Sequence, residues 1–202
     1  MSRFKLSEIA EITQGNILTR IKPSSQFDET VEFDSISMQE LSYIVGQSDI
    51  LEKSSKVKVL KEKESSCILT KQKDIVVGLS SRKAFVIDET RSNNLLLSNF
   101  ALIRILDTNI LDPHYFCWLL NEDLQFQKYI DQKMQGSANV IILSINNVKD
   151  MELELPDIEK QKMIGVIYEL GRQRDRLSKT ILKKTSLVRN YLLMDFNSKG
   201  EK

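Results

Sequence analysis

The stretch from Asp157 to Met194 constrains this 202-residue chain more than any other. It follows Pro156, contains no proline and has only two glycines, Gly165 and Gly171. Alternating steps of four and three residues pick out Met163, Ile167, Leu170, Arg174, Leu177, Ile181, Lys184, Val188 and Tyr191. All but Arg174 and Lys184 are apolar. That is the pattern of a narrow coiled-coil seam, not of the wider stripe with which a helix covers a globular core. Asp157 and Glu159 open the stretch, where negative charge suits the helix dipole. At 1.5 Å per residue the helix would be about 55 Å long, more than a domain of this size covers with its own core. The seam therefore calls for a partner helix, and its two polar positions are of the kind that fix register. The alternative is a helix folded back onto its own domain. Gly165 and Gly171, each about 1 kcal/mol poorer than alanine in a helix, mark either close approach of another backbone or a weak first turn.

What precedes this helix is long enough for one domain of about 150 residues. The expected organisation is a globular domain over 1–156, the helix over 157–194 and a flexible tail over 195–202. Hydrophobic residues at 41% and charged residues at 28% argue against disorder. No apolar run approaches the roughly 20 residues of a membrane span. Met1–Ile9 carries Arg3, Lys5 and Glu8 and is unlike a secretory signal. Cys67 and Cys117 are far apart, there is no CxxC, and His114 is the single histidine. Neither a disulfide framework nor a zinc site is expected, and the reduced cytoplasm is the expected location.

The net charge of +1 says nothing about nucleic acid, but its distribution does. Gln26–Glu52 holds Asp28, Glu29, Glu32, Asp34, Glu40, Asp49 and Glu52 with no lysine or arginine. Lys53–Lys83 then holds nine basic residues (Lys53, Lys56, Lys58, Lys61, Lys63, Lys71, Lys73, Arg82, Lys83) against Glu62, Glu64 and Asp74, a local excess of six. Such a segment can supply phosphate contacts, or it can simply be a solvated face.

Along the chain, Phe4–Ile12 reads as a helix with Leu6, Ile9 and Ala10 on one face and Ser7 as its cap, followed by a loop to Pro23. Val31–Met38 reads as a strand, and Tyr43–Lys56 as irregular chain or a short hairpin. Cys67–Thr70, Asp74–Leu79, Ala84–Asp88 and Leu95–Leu106 read as short strands. Asp112-Pro113 is a helix start, with aspartate as cap and proline as first residue. Tyr115, Phe116, Trp118, Leu119 and Leu120 give that helix its apolar face, and Leu124–Met134 is a second helix. Ser144 caps a short helix over Ile145–Asp150, and Met151–Leu155 alternates as a strand with one wet face. Strands and helices mix without a βαβ rhythm, so the fold class is α+β: a globular domain of short strands and helices followed by a long coiled-coil helix.

Catalytic signatures are missing. There is no GxG for a dinucleotide, no GK[ST] for a P-loop and no Asn/Asp-Pro-Pro-aromatic motif of an amino-methyltransferase. His114 sits beside Pro113 at a helix start and reads as a capping or surface residue. Cys117 lies in an aromatic-rich helix and reads as core. The expectation is a chain without catalytic residues, cofactor or metal.

Gln135–Gln161, QGSANVIILSINNVKDMELELPDIEKQ, resembles the end of a target-recognition domain in the specificity (S) subunit of type I restriction–modification systems. The residues that carry the likeness are Gly136-Ser137, Leu143-Ser144, Ile145–Asp150, Leu153–Pro156 and Glu159-Lys160-Gln161. Upstream, Lys5–Ile12, Lys73–Val77, Leu97-Ser98-Asn99-Phe100 and Leu111–Tyr115 match in order, so the resemblance covers nearly the whole chain. It implies a non-catalytic reader of double-stranded DNA that directs a DNA methyltransferase (M) subunit, and in complete systems a restriction (R) subunit, to a bipartite site. S subunits hold two recognition domains and two helices, and this chain has one of each, like a half-subunit or a fragment of one. The resemblance further implies antiparallel pairing of the helices, hence a homodimer through the seam.

Recognition residues do not transfer by motif, so the candidate base contacts rest on loop chemistry. They are Gln14, Asn16, Thr19 and Arg20; Ser80, Ser81, Arg82 and Lys83; and Gln135, Ser137 and Asn139. Arginine reads guanine and asparagine or glutamine reads adenine in the major groove, although each loop also reads as an ordinary polar turn. Lys53, Lys56, Lys58, Lys61 and Lys63 are the candidate phosphate contacts, which position without specifying. The other reading of the chain is a coiled-coil protein–protein adaptor that does not bind DNA.

Overall fold

A four-stranded antiparallel sheet and two short ladders organise residues 2–49, 55–134 and 142–199, the part described by a computed structural model. In chain order the elements are β1 (Ser2–Lys5), α1 (Leu6–Ile9), β2 (Ala10–Gln14), α2 (Leu18–Ile21), β3 (Thr30–Ser35), α3 (Met38–Ile44), β4 (Ser55–Leu60), β5 (Ile75–Gly78), β6 (Ala84–Val86), β7 (Phe100–Ile105), α4 (Pro113–Asn121), α5 (Leu124–Met134), α6 (Ile145–Lys149), β8 (Glu152–Leu155) and α7 (Ile158–Lys199). The central sheet runs β2-β7-β5-β6, β1 pairs with β8, and β3 pairs with β4. The class is α+β with a long C-terminal helix, as the sequence pattern indicates.

The first segment differs from expectation. Only Leu6–Ile9 is helical, a single turn whose Leu6 and Ile9 are buried and whose Glu8 accepts from the Lys5 amide at 2.9 Å. Its flanks are drawn into ladders instead: Ser2–Lys5 against Leu155–Glu152, and Ala10–Gln14 against Ile105–Ala101. Long-range pairing overrides a helical spacing that is too short to sustain itself. Three further boundaries move. Met38–Ile44 is a helix capped by the Ser37 hydroxyl, which accepts from the Glu40 amide at 3.0 Å. Cys67–Thr70 is not a strand but makes one bridge, Leu69 to Leu95. Leu95–Leu97 lies outside β7 and bridges to Ser35, Leu69 and Asn16.

Other elements follow the sequence signals. Asp112 caps α4 through the Tyr115 amide at 2.9 Å, with Pro113 as first residue. Ser144 caps α6, and β8 buries Leu153 and Leu155 while Glu152 and Glu154 face solvent. The main core lies between the sheet and α4, around Ile75, Val77, Ile103, Phe116 and Leu120, and Cys117 belongs to it. Burial raises the Cys117 thiol far above its ordinary range, so it is inert.

The long helix α7 has 42 residues and continues through Asp195–Lys199, expected to be tail. At 1.5 Å per residue that is about 63 Å. Its first half is anchored. Gln161, 1% exposed, donates to Ile110 O (3.0 Å) and Pro156 O (2.9 Å) and accepts from the Asp112 amide (3.1 Å). Gly165 is the point of closest approach: a Cβ there would lie 2.6 Å from Asp112 Oδ1 and 3.0 Å from Tyr115 N. A Cβ at Gly171 would meet nothing within 4 Å. One face of the helix thus folds back onto α4, and the seam on another face stays bare. Met163, Ile167, Leu170, Leu177, Ile181, Val188 and Tyr191 are 59–71% exposed.

Candidate nucleic-acid interface

Two of the polar loops singled out in the sequence converge on one end of the central sheet. Antiparallel registers place Gln14 opposite Ala101, and Gly78 opposite Phe100. The C-terminal ends of β2 and β5 therefore flank the N-terminal end of β7. Gln14–Arg20 leaves β2 there, and Ser80–Lys83 joins β5 to β6 there. Leu143, close after the point where the described chain resumes beyond residues 135–141, donates its amide to Leu79 O at 2.9 Å at this same end. Gln135, Ser137 and Asn139 themselves lie outside the described residues, as does Lys53. Ser98 and Asn99, which the sequence offers only as part of a motif, also sit here. The Ser98 carbonyl accepts from Gln14 Nε2 at 2.8 Å, and the Asn99 carbonyl accepts from the Leu79 amide at 3.0 Å. A polar pair between two apolar runs marks a strand end in the sequence, but not which other ends will join it.

Within this surface some candidates hold the loops and others are exposed. Asn16 donates to Ser66 O (3.0 Å) and accepts from the Ile68 amide (2.6 Å), tying the first loop to the turn after β4. Thr19 and Arg20 are exposed on α2, which anchors itself through buried Ile21. Arg82, in a left-handed conformation at φ 55°, pairs with Asp131 of α5. Lys83 Nζ donates to Asn121 O at 2.7 Å. Burial holds the Lys83 ammonium below its ordinary pKa, with Glu122 opposing and Arg82 reinforcing the shift. A cavity of about 100 Å³ lies beside Ser81, Arg82, Lys83, Gln127 and Asp131. The cations of this second loop are thus committed to α4 and α5, while Ser80 remains exposed.

The lysines of β4 fold against the acidic strand. Register sets Lys56 opposite Asp34 and Lys58 opposite Glu32 on the exposed face of the β3–β4 hairpin. Lys56 pairs with Glu32 at 3.5 Å, Lys61 with Glu29 at 2.9 Å and Lys63 with Glu62 at 3.7 Å. The preceding acidic segment thereby answers part of the positive charge read along the sequence, at Lys56 and Lys61. Among the described residues no cluster of His, Cys, Asp and Glu could hold a metal, and no helix is long and apolar enough to cross a membrane.

A second constellation lies on α7, opposite the seam. Arg172, Arg176, Lys179 and Lys183 recur at steps of four, three and four, which is one helical face. Arg172 donates to the Tyr168 hydroxyl (3.1 Å) and to Ile44 O, at the C-terminal end of α3. Arg176 lies 5.9 Å from the centre of the Tyr43 ring, and Lys179 donates to Gly46 O at 2.9 Å. Burial pushes the Tyr168 phenol up to about 12. These basic residues carry a sequence signal of their own, a second heptad-spaced row, that the apolar seam overshadows.

No family model and no curated protein matches the chain. Solved structures do. A chain from a structure of a type I R-M system, described for its complex assembly and conformational transition, is 16% identical with a TM-score of 0.59, over 96% of this chain and 49% of that one. The HsdS subunit from Thermoanaerobacter tengcongensis is likewise 16% identical with a TM-score of 0.59, over 96% and 47%. The type I restriction–modification S subunit from M. genitalium is 14% identical with a TM-score of 0.55, over 94% and 44%. The chain spans about half the length of each. Its globular part and long helix together have the fold of about one half of a type I S subunit.

Proposed function

We propose that the chain is a non-catalytic DNA-sequence reader of a type I-like restriction–modification system, which directs a methyltransferase, and with it a restriction subunit, to a bipartite site. The observation that carries this reading is the fold of half an S subunit with its helix seam left bare. In this reading residues 1–156 read DNA and the helix that follows is the spacer and dimerisation element. The base-contact surface is the sheet end formed by Gln14–Arg20, Ser80–Lys83 and Ser98-Asn99, together with Gln135, Ser137 and Asn139. Of the phosphate candidates, Lys58 is the cation best placed to reach the backbone from the exposed hairpin.

The seam then pairs antiparallel with that of a second copy, in the commonest oligomer symmetry. From Ile167 to Tyr191 it is its own complement about a centre at Lys179. Ile167 lies across from the partner's Tyr191, Leu170 from the partner's Val188 and Leu177 from the partner's Ile181. Soluble monomers rarely expose an apolar strip of this size. Because each domain covers only the first half of its own helix, the two domain centres fall about 33 Å apart along the axis. That is close to the roughly 34–36 Å of one duplex turn, so two identical readers would address an inverted repeat on one face of the DNA. Leu182, Leu187, Leu193 and Phe196, exposed off the seam, are left for the methyltransferase subunit.

The test is selection from duplexes with a randomised core, with the dimer checked by light scattering. Enrichment of an inverted repeat with an unread centre, bound more weakly as salt rises, is expected. The ion-paired hairpin favours the other reading, a protein–protein adaptor. A dimer that binds no duplex at any salt would establish that reading instead, and a monomeric chain would mark a fragment that needs a different second half.

A further inference from the structure

We infer that Arg172, Arg176 and Lys179 are specificity-determining positioning residues: by clamping the C-terminal end of α3 to α7 they fix the length of spacer that the dimer accepts. The inference rests on the proposed reading of the chain as a dimeric DNA reader. None of the three residues lies in the surface assigned to bases.

The clamp is the end of a continuous relay. Asn121 exchanges hydrogen bonds with the backbone of Ala84 at the edge strand β6, at 2.8 and 2.7 Å, and donates to the Tyr168 hydroxyl at 2.6 Å. Arg172, over the Tyr168 ring at 5.2 Å, carries the relay on to Ile44 O. Sheet, α4, α7 and α3 are thereby joined through side chains whose partners are specific. Beyond Arg172 the contacts are cations set at the carbonyl end of α3, where the helix dipole favours them. Lys179 reaches Gly46 O and lies 3.9 Å from Asp49, and Arg176 lies over Tyr43. A groove of about 680 Å³ between α3 and α7 runs alongside, so among the described residues no side chain fills the space beside the clamp.

The position of the clamp gives it leverage. Gln161 and Gly165 pin the domain near the start of α7, whereas Lys179 lies at the centre about which the seam is self-complementary. Without the clamp, Gln161, Gly165 and the Tyr168–Asn121 hydrogen bond hold only the first turns of α7, and the α3 end of the domain can pivot against the helix. A displacement of about 1.7 Å per domain changes their separation by about 3.4 Å, one base pair of spacer, so small pivots translate into altered spacer length while each half-site contact stays intact.

Selection from the randomised duplex pool is therefore repeated with the Arg176→Ala/Lys179→Ala double variant. Wild type should enrich one half-site motif at one spacer length. The double variant should enrich the same half-site at several neighbouring spacer lengths. Tyr43→Ala, which removes the ring under Arg176 and leaves every charge on α7 in place, should broaden the distribution by an independent route. Lys183→Ala, on the same helix face but with no contact to α3 among the described residues, should keep the single length. A double variant that retains one spacer length, or a Lys183→Ala variant that broadens equally, overturns the inference. If wild type itself enriches no inverted repeat, the DNA-reading function fails, and the clamp's role in spacing falls with it.

Discussion

Reversing one charge in the seam should strengthen a dimer, not weaken it. In the antiparallel register centred on Lys179, Arg174 faces the partner's Lys184, and symmetry repeats the contact. Arg174 is 75% exposed in the single chain, with its guanidinium 2.7 Å from the neighbouring Asp175. Only its local environment therefore competes with an interchain partner. An exposed helix pair of like charges costs about 0.5 kcal/mol, and an opposite pair contributes about as much. Arg174→Glu turns two repulsions into two attractions, a change of about 2 kcal/mol, or roughly 30-fold in the dimer dissociation constant. Lys184→Glu should do the same. The double variant Arg174→Glu/Lys184→Glu sets carboxylate against carboxylate at both contacts and so returns to repulsion. Sedimentation equilibrium at low salt over a concentration series measures all four proteins, and the gain should fade as salt screens the pairs. In a parallel dimer each seam position would face its own copy, so either single reversal would only exchange one like-charge pair for another and tighten nothing. Single variants that dimerise no better than wild type would refute the register.

The two helix glycines should respond oppositely to the same substitution. Gly171→Ala, with open space around it, should raise stability by about 1 kcal/mol in chemical denaturation. Gly165→Ala must displace Asp112 and the backbone of Tyr115, and should lower it by about 1–3 kcal/mol despite the better helix propensity. Asp74→Ala removes a buried carboxylate that receives Arg104 Nε at 2.8 Å, Arg104 Nη2 at 2.7 Å and the Lys71 amide at 2.7 Å. It should cost about 3 kcal/mol, read from the unfolding midpoint. At Asp88, burial opposes ionisation, but the Thr90 hydroxyl and the Arg91 guanidinium and amide outweigh it, so the folded pKa lies below the ordinary value. Its stabilisation is fully present above that ordinary value and is lost as pH falls through the folded one. Asp88→Ala should accordingly cost about 1 kcal/mol at neutral pH as a lost cap, with the difference from wild type shrinking in acid.

The parts of the fold legible in the sequence are those in which local chemistry and tertiary packing agree. Asp112-Pro113, Ser144 and the alternation of Met151–Leu155 each specify their element within a few residues, and the structure places them as read. The helix α7 is legible for a different reason, since apolar residues repeated at helical spacing over 157–194 repeat their own evidence. Phe4–Ile12 misleads because its apolar spacing fits one helical turn, while its fate is decided by strands more than 90 residues away. Ser37, whose hydroxyl caps α3, is hidden by the strand pattern that runs up to it. The loops are legible as polar turns, but their meeting at one sheet end depends on the order β2-β7-β5-β6, which no local pattern encodes. The basic run is legible as charge, and the pairing of Lys56 and Lys61 with the acidic run is not, because it arises only through the hairpin register.

That hairpin bears on how such a protein would search a genome. A face on which Lys56 and Lys61 meet Glu32 and Glu29, leaving Lys58 to reach outward, projects a reduced field beyond the roughly 8 Å over which physiological salt screens charge. It gives bulk DNA little to hold, since nonspecific attraction comes almost entirely from unanswered positive charge. A reader built this way spends little time on the wrong sequence. Discrimination then comes from a low background as much as from a tight grip on the right site, and the vast excess of competing DNA becomes correspondingly less of an obstacle.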